Sequence, residues 1–147
     1  MNNDFNSSPN VKQAVPFFMV TNMESSLDFY VNGLGFELKN KWEPMGKIEW
    51  CWLQLGYASL MLQEYRENVN TEKADIGVCI CFTCEDSLRI YKEITLRGLL
   101  PEEPFVGNNQ WVVGLKDPDG YVIYFESPTE VPEETTYSDW VKTSKPN

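Results

Sequence analysis

The feature that most constrains the fold is an internal repeat, because the second half of the chain follows the same order of elements as the first. Ser26 and Ser87 each begin the motif Ser-Leu-x-x-Tyr, and the Gly-Tyr pair at Gly56 recurs at Gly120. In each half a strand-like segment precedes a helix, and three strand-like segments follow it. A helix covers only one face of a mostly antiparallel sheet, so two such modules can face each other across a cleft. The sequence therefore predicts an α+β fold of two similar modules.

Composition and turn signals predict the boundaries. Residues 1–12 are polar and predict a loose N-terminus. A single domain is expected over 13–127, with module one at 13–65, module two at 76–127 and a charged linker at 66–75. Residues 128–147 are acidic and aperiodic, which predicts a C-terminal surface tail.

Hydrophobic periodicity predicts the elements within each module. In module one they are strands at 14–21, 36–42, 48–55 and 58–65 and a helix at 24–32. In module two they are a strand at 76–83, a helix at 85–97 and a hairpin of 109–116 with 121–126. The sequence Asp-Pro-Asp-Gly, beginning at Asp117, forms the hairpin turn, in which Gly120 takes the left-handed position.

Net charge excludes two classes of partner. The formal charge is −10 with a pI near 4.4, so the chain repels nucleic-acid phosphates and anionic membrane surfaces. The sequence has neither a membrane-length apolar run nor a signal peptide, and a cytoplasmic protein is expected. The four cysteines at 51, 79, 81 and 84 are then expected to be reduced, buried thiols rather than a metal cluster.

Histidine is absent from the sequence. This excludes a Ser-His-Asp triad, a Cys-His pair and any imidazole metal ligand. Acid–base chemistry would depend on carboxylates, Tyr, Lys or Cys.

Four segments, spread over residues 11–127, carry a resemblance to a known family. They are Ala14-Val15-Pro16, Met23-Glu24-x-Ser26-Leu27-Asp28-Phe29-Tyr30, Leu34-Gly35-Phe36 and Asp117-Pro118-Asp119-Gly120-Tyr121. Together they resemble the glyoxalase/bleomycin-resistance/dioxygenase family, the vicinal-oxygen-chelate superfamily, and its bleomycin-resistance branch in particular. The resemblance implies two βαβββ modules forming a curved mixed sheet around a cleft, and it implies a homodimer.

The resemblance also implies where metal-dependent members hold their ion. The four ligand positions fall on Val15, Met61, Cys79 and Tyr124. None is a usual ligand of a hard cation, and one thiol with one phenol binds a divalent ion poorly. We therefore expect neither a metal site nor a cofactor.

Alternation along the strands predicts which side chains face the cleft. If Met61, Cys79 and Tyr124 face it, their apolar neighbours face the helices. The candidate ligand-binding residues are Trp42, Trp50, Trp52, Met61, Gln63, Cys79, Trp111, Tyr124 and Glu126. An aromatic, sulfur-rich cleft suits an aromatic or apolar ligand, including a cationic one.

Several of these assignments have alternatives that stay open. Trp50 and Trp52 could fill the space of a lost metal site or seal a dimer interface, and Glu126 could be a solvated carboxylate at the cleft mouth. The stacking positions of the bleomycin-resistance branch fall near Asn40 and Asn109, and the tryptophans two residues further on could replace them. Trp111, however, shares its parity with apolar positions expected in the core.

Three functions follow. The first is a metal-independent protein that binds a drug-like aromatic or cationic molecule, with antibiotic resistance as the implied role. The second is a glyoxalase-, epimerase- or dioxygenase-type enzyme with an unorthodox metal site at Cys79, Tyr124 and Glu126, with Gln63 as a further ligand. The third is a structural partner whose cleft is filled by protein. Whether the chain is an enzyme stays open at this point.

Overall fold

The computed structural model describes residues 10–67 and 77–144. Most of the predicted N-terminal segment (1–12) and of the linker (66–75), with the first residue of predicted module two, lie outside the described residues. Module one consists of β1 (Phe17–Val20), α1 (Met23–Leu27) with a π-helical continuation (Asp28–Gly33), β2 (Glu37–Trp42), β3 (Trp50–Leu55) and β4 (Ala58–Glu64). Module two consists of β5 (Cys79–Thr83), α2 (Ser87–Leu96), β6 (Phe105–Gly107), β7 (Gln110–Lys116) and β8 (Val122–Pro128), and α3 (Tyr137–Ser144) follows.

Each module forms a four-stranded mixed sheet. The strand orders are β1-β4-β3-β2 and β5-β8-β7-β6. The first strand of each module pairs parallel with the last one, and the other pairs are antiparallel. The tight turns contain Gly56 (φ +58°) and Gly120 (φ +91°), whose left-handed backbone favours glycine. The predicted α+β class with two βαβββ modules is confirmed.

Each sheet buries the face that lies under its helix. Cys51, Leu53, Leu60 and Leu62 of module one are fully buried, and Ile123 and Phe125 of module two are at most 1% exposed. Their strand neighbours are partly exposed. The alternation predicted from the sequence thus holds on β3, β4 and β8, whereas β7 is buried on both faces from Trp111 to Leu115.

The two modules are joined by a buried polar contact and by aromatic rings. The Tyr30 hydroxyl donates to Asp117 Oδ2 at 2.7 Å. The rings of Phe18 and Tyr121 stack with centroids 3.9 Å apart. Phe36, which precedes β2, meets Phe82 of β5 edge-on. Aromatic side chains from both modules therefore share one core.

The sequence repeat is shifted by three residues from the structural repeat. Asn22 caps α1 by accepting from the Ser25 N–H, and Asp86 caps α2 by accepting from the Arg89 N–H. Met23 and Ser87 are each the first residue of their helix, so Met23 is the structural equivalent of Ser87. Ser26 therefore does not correspond to Ser87 as the motif predicts. Three residues are nearly one helical turn, so a shifted match keeps the same helix face and looks convincing in sequence.

The C-terminal segment differs from the predicted aperiodic tail. It forms α3, and Tyr137 and Trp140 pack with Trp111 of β7, the two tryptophan rings 5.4 Å apart. The chain before α3 bonds to β6, because the Val106 N–H donates to the Thr135 carbonyl at 2.9 Å and the Glu134 N–H donates to the Val106 carbonyl at 2.8 Å. Two aromatic residues spaced by three were the available signal for this helix.

Candidate ligand-binding site

Three tryptophans share the open face of module one, the face opposite α1. Trp42 of β2 is the cross-strand partner of Trp50 on β3, and Trp52 follows two residues later on the same face. Trp42 is 45% exposed, while Trp50 and Trp52 are half-buried. The sheet therefore presents adjacent indole rings to solvent. Contiguous apolar surface of this kind is uncommon on a protein unless it binds a ligand or another chain.

Two further candidates extend this aromatic face. Met61 of β4 pairs with Trp52, and Gln63 pairs with Trp50. On the other side of β4, Met61 pairs with Phe17, whose side chain is 50% exposed. The backbone register thus brings five of the predicted residues together, and it adds Phe17.

The open face of module two is smaller and more polar. Tyr124 lies between Cys81 of β5 and Gly114 of β7. The Tyr124 ring covers Gly114, since a Cβ at that glycine would come within 3.1 Å of ring atom Cε1. A glycine inside a strand is a sequence signal for such close packing, and it could have singled out this residue.

A thiol and a carboxylate interact on this second face. Burial and, next, a hydrogen bond from the thiol to the Glu126 carboxylate together raise the pKa of Cys81 to about 11. The Cys84 thiol donates to the Glu126 carbonyl at 3.4 Å. Both thiols are held protonated at neutral pH, so neither is an activated nucleophile.

The expectation of buried cysteines is only partly met. Cys51 is buried and Cys84 is intermediate, but Cys79 and Cys81 are exposed. They lie on the open face of β5, which no helix covers. Alternation along β5 predicted correctly that Cys79 and Cys81 share the open face. The prediction that they are buried, which rested on the general tendency of cysteine, was wrong.

Trp111 lies outside both groups of candidates. Its strand register places it on the face of Val113 and Phe125, and it is 5% exposed beneath α3. Of the two stacking positions that the family resemblance suggested, Asn40 lies beside Trp52, but Asn109 lies in the β6–β7 turn with φ +62°. A turn residue cannot supply a sheet-face stacking platform, so only the module-one position has a neighbouring tryptophan on the same face.

The residues at the four metal-ligand positions do not fit a divalent ion. Val15 and Met61 offer no nitrogen or oxygen side-chain donor, and Cys79 and Tyr124 remain as one thiol and one phenol. Within residues 10–67 and 77–144 no group of three His, Cys, Asp or Glu side chains is arranged to hold a metal ion.

Two grooves border the open faces. One, of about 990 Å³, runs between the β3–β4 turn and the start of α2, and its lining includes Leu55, Cys81, Ile90 and Phe125. The other, of about 550 Å³, lies at the end of β2 beside Trp42.

In the described part of the chain, no helix is long and apolar enough to cross a membrane.

Solved structures of similar fold include TioX, a bleomycin resistance determinant and an antibiotic binding protein. TioX from Micromonospora sp. ML1 has a TM-score of 0.65 at 17% identity, and the match covers 80% of this chain and 99% of that one. A bleomycin resistance determinant encoded on the transposon Tn5 also has a TM-score of 0.65, at 20% identity, with coverage of 82% and 100%. TnmS3, an antibiotic binding protein from Streptomyces sp. CB03234, has a TM-score of 0.61 at 20% identity, with coverage of 83% and 100%.

The chain is also similar in sequence to a curated enzyme. The lactoylglutathione lyase of Neisseria meningitidis serogroup A is 29% identical over 114 residues, which is 72% of this chain and 83% of the relative. The family model of the Glyoxalase/Bleomycin resistance protein/Dioxygenase superfamily matches residues 12–125. Because that match covers most of the chain and reaches into β8, the last strand of module two, the chain belongs to the Glyoxalase/Bleomycin resistance protein/Dioxygenase superfamily.

Proposed function

We propose that this protein binds a small, planar aromatic molecule without a metal ion, and that the ligand lies on the open face of module one. The observation that carries the proposal is the cluster of Trp42, Trp50 and Trp52 on one solvent-facing sheet surface. Indole rings stack on flat ligands and bury a large apolar area. The antibiotic binding protein and the bleomycin resistance determinant of similar fold support a small-molecule ligand.

The second part of the proposal is a homodimer in which a second copy covers this face. Phe17 and Trp42 are 50% and 45% exposed, and three more half-buried apolar side chains lie between them. The stacked pair Phe18–Tyr121 joins the two modules of one chain on the helix-facing side, so it leaves the aromatic face for another partner. Analytical ultracentrifugation at micromolar concentration is expected to give a dimer, and a monomer across that range would contradict this part.

Ligand binding is tested with compounds of known shape. Bleomycin, ethidium and neutral acridine are titrated by calorimetry against the wild type, the two tryptophan variants Trp50→Ala and Trp140→Phe, and Ile90→Ala in the groove beside α2. Removing one stacking ring should weaken binding of a planar compound about tenfold. Trp140 lies on α3 at the opposite side of module two, so its variant loses a tryptophan without changing the proposed face.

Each result has a defined meaning. Weaker binding in Trp50→Ala with unchanged binding in Trp140→Phe supports the aromatic face. Unchanged binding in both variants, with loss in Ile90→Ala, would place the ligand in the groove beside α2 instead. No binding by the wild type to any of the planar compounds would contradict the proposed function.

The similarity to a lactoylglutathione lyase favours a second candidate, an enzyme with an unorthodox metal site. Protein purified without chelator from a metal-supplemented culture is analysed for metal content. We expect a value near zero, because the donor set is poor. A value near one ion per chain that falls in Glu126→Ala and Cys79→Ser would favour the enzyme and contradict metal-free binding.

A further inference from the structure

A guanidinium group already occupies the exposed side of one tryptophan. The central carbon of the Arg66 guanidinium lies 5.6 Å from the centroid of the Trp42 ring. This is the geometry of a cation–π interaction, in which the negative face of the indole attracts a positive charge. The ring of Trp42 is therefore positioned to accept a cation.

Arg66 is held there weakly. Its side chain is 69% exposed, and its Nε lies 3.9 Å from Oε1 of Glu49. At that distance the pair is a loose surface ion pair rather than a hydrogen-bonded one. Little would oppose the movement of this long side chain into solvent.

The groove under Arg66 contains a carboxylate, that of Glu49, whose one ion pair in the described part of the chain is with Arg66, with the Lys47 ammonium as a more distant charge in the same groove. Glu64 uses both of its oxygens, one to accept from the Met23 N–H at 2.6 Å and the other to bind the Lys47 ammonium. Glu49 is 25% exposed, and its ion-pair partner is the displaceable Arg66. The groove has a volume of about 550 Å³, large enough for a substituent that carries an ammonium or a ring nitrogen.

We propose that this groove is a cation-binding subsite, in which the positive group of an aromatic ligand replaces Arg66 between Trp42 and Glu49. The inference rests on the proposed function, because Trp42 borders both the groove and the aromatic face. It adds a specificity rule, namely that planar cations bind more tightly than neutral molecules of the same shape. The net charge of −10 would also attract such cations from a distance.

The test uses two probes with the same ring system, of which one carries an N-methyl group and with it a permanent positive charge. Neutral acridine and permanently charged N-methylacridinium are titrated by calorimetry against the wild type, Arg66→Gln, Glu49→Gln and Glu37→Gln. Arg66→Gln should raise the affinity for the cation about fivefold and change that for acridine less than twofold. Glu49→Gln should lower the affinity for the cation about fivefold and leave acridine unchanged.

Glu37→Gln is the matched control, because it removes the same charge from the far end of β2, where Glu37 is exposed beside Lys39. If Glu37→Gln and Glu49→Gln lowered the affinity for N-methylacridinium equally, the effect would come from the net charge of the protein alone. That result would overturn the subsite. Equal binding of both probes by the wild type and Arg66→Gln would overturn it too, while the aromatic face would stand. Failure of both probes to bind any of the four proteins would contradict the proposed function itself.

Discussion

The two modules share a backbone plan but carry different chemistry on their open faces. Both bury an apolar helix-facing side, with Leu60 and Leu62 in module one and Ile123 and Phe125 in module two. The open face of module one is aromatic, whereas that of module two is built from thiols, a tyrosine and a carboxylate. Because packing against a helix constrains only one side of a sheet, the other side is free to differ, and functional differences accumulate there.

The modules also differ in how their sheet edges are protected. The chain before α3 adds backbone hydrogen bonds to β6, including that from Val106 to Thr135. Among the described residues, none adds such hydrogen bonds to the outer edge of β2, which is exposed along its whole length. Lys39 and Lys41 on β2 are typical of edges that resist pairing with other chains.

The largest expected effect comes from breaking the contact that joins the two modules. Asp117 is 5% exposed and accepts hydrogen bonds from the Tyr30 hydroxyl and from the N–H groups of Asp119 and Tyr121. Asp117→Ala leaves three donors without this acceptor and should lower the free energy of unfolding by about 3 kcal/mol or more. Urea denaturation measures the change.

Asp119→Ala is the comparison for that experiment, because Asp119 lies in the same turn and its Oδ1 joins the modules at the surface, where it accepts from the N–H and the hydroxyl of Thr21. Its loss should be about 1 kcal/mol. If Asp117→Ala were no more damaging than Asp119→Ala, the buried contact would couple the modules no more strongly than the exposed one.

A smaller effect compares the supports at the two helix starts. The Met23 N–H donates to the Glu64 carboxylate, and at the equivalent position the Ser87 N–H donates to Ser127 Oγ at 2.9 Å. Glu64→Ala should cost about 2 kcal/mol and Ser127→Ala about 1 kcal/mol, because the first bond involves a charge. Equal losses in urea denaturation would mean that the charge contributes nothing there.

The smallest effect concerns the open face of module two. Burial and then the Glu126 carboxylate raise the pKa of Cys81 to about 11, so only a small fraction is thiolate at pH 8.5. Glu126→Gln should lower that pKa, increase the thiolate fraction and speed alkylation of Cys81 by iodoacetamide about fivefold. Mass spectrometry locates the modified cysteine.

Glu85→Gln serves as the control, since Glu85 is exposed nearby and removes the same charge. A rate that rises equally in both variants would indicate a general charge effect instead of the contact between Cys81 and Glu126.

Much of the fold was predictable from local pattern. The Gly-Tyr turns at Gly56 and Gly120 and the order of elements agree with the structure because turn chemistry and periodicity are local. The register of the repeat was not predictable from local pattern. The sequence motif matches Ser26 with Ser87, whereas the helix caps make Met23 the structural equivalent of Ser87. The C-terminal helix was also missed, because its stability comes from Trp111, a residue distant in sequence.

The candidate site was predictable in part for the same reason. Strand parity identified Trp50, Trp52 and Met61 as one face, and cross-strand pairing brings Trp42 beside them. Parity placed Trp111 with the apolar positions expected in the core, which the structure agrees with, but the α3 helix that covers it was not predicted. The contact of Arg66 with Trp42 also had no sequence signal, since it depends on where the chain leaves β4.

The sequence by itself determined the α+β class, the two-module order, the lack of a histidine-based site and the buried side of strands β3, β4 and β8. These properties depend on composition, on turn residues and on a period of two along the strands. The tertiary structure alone decided which residues meet across strands and modules: Trp42 with Trp50, Tyr30 with Asp117, and Arg66 with the Trp42 ring. Such contacts depend on register and packing between distant segments, and the local sequence around each residue does not specify them.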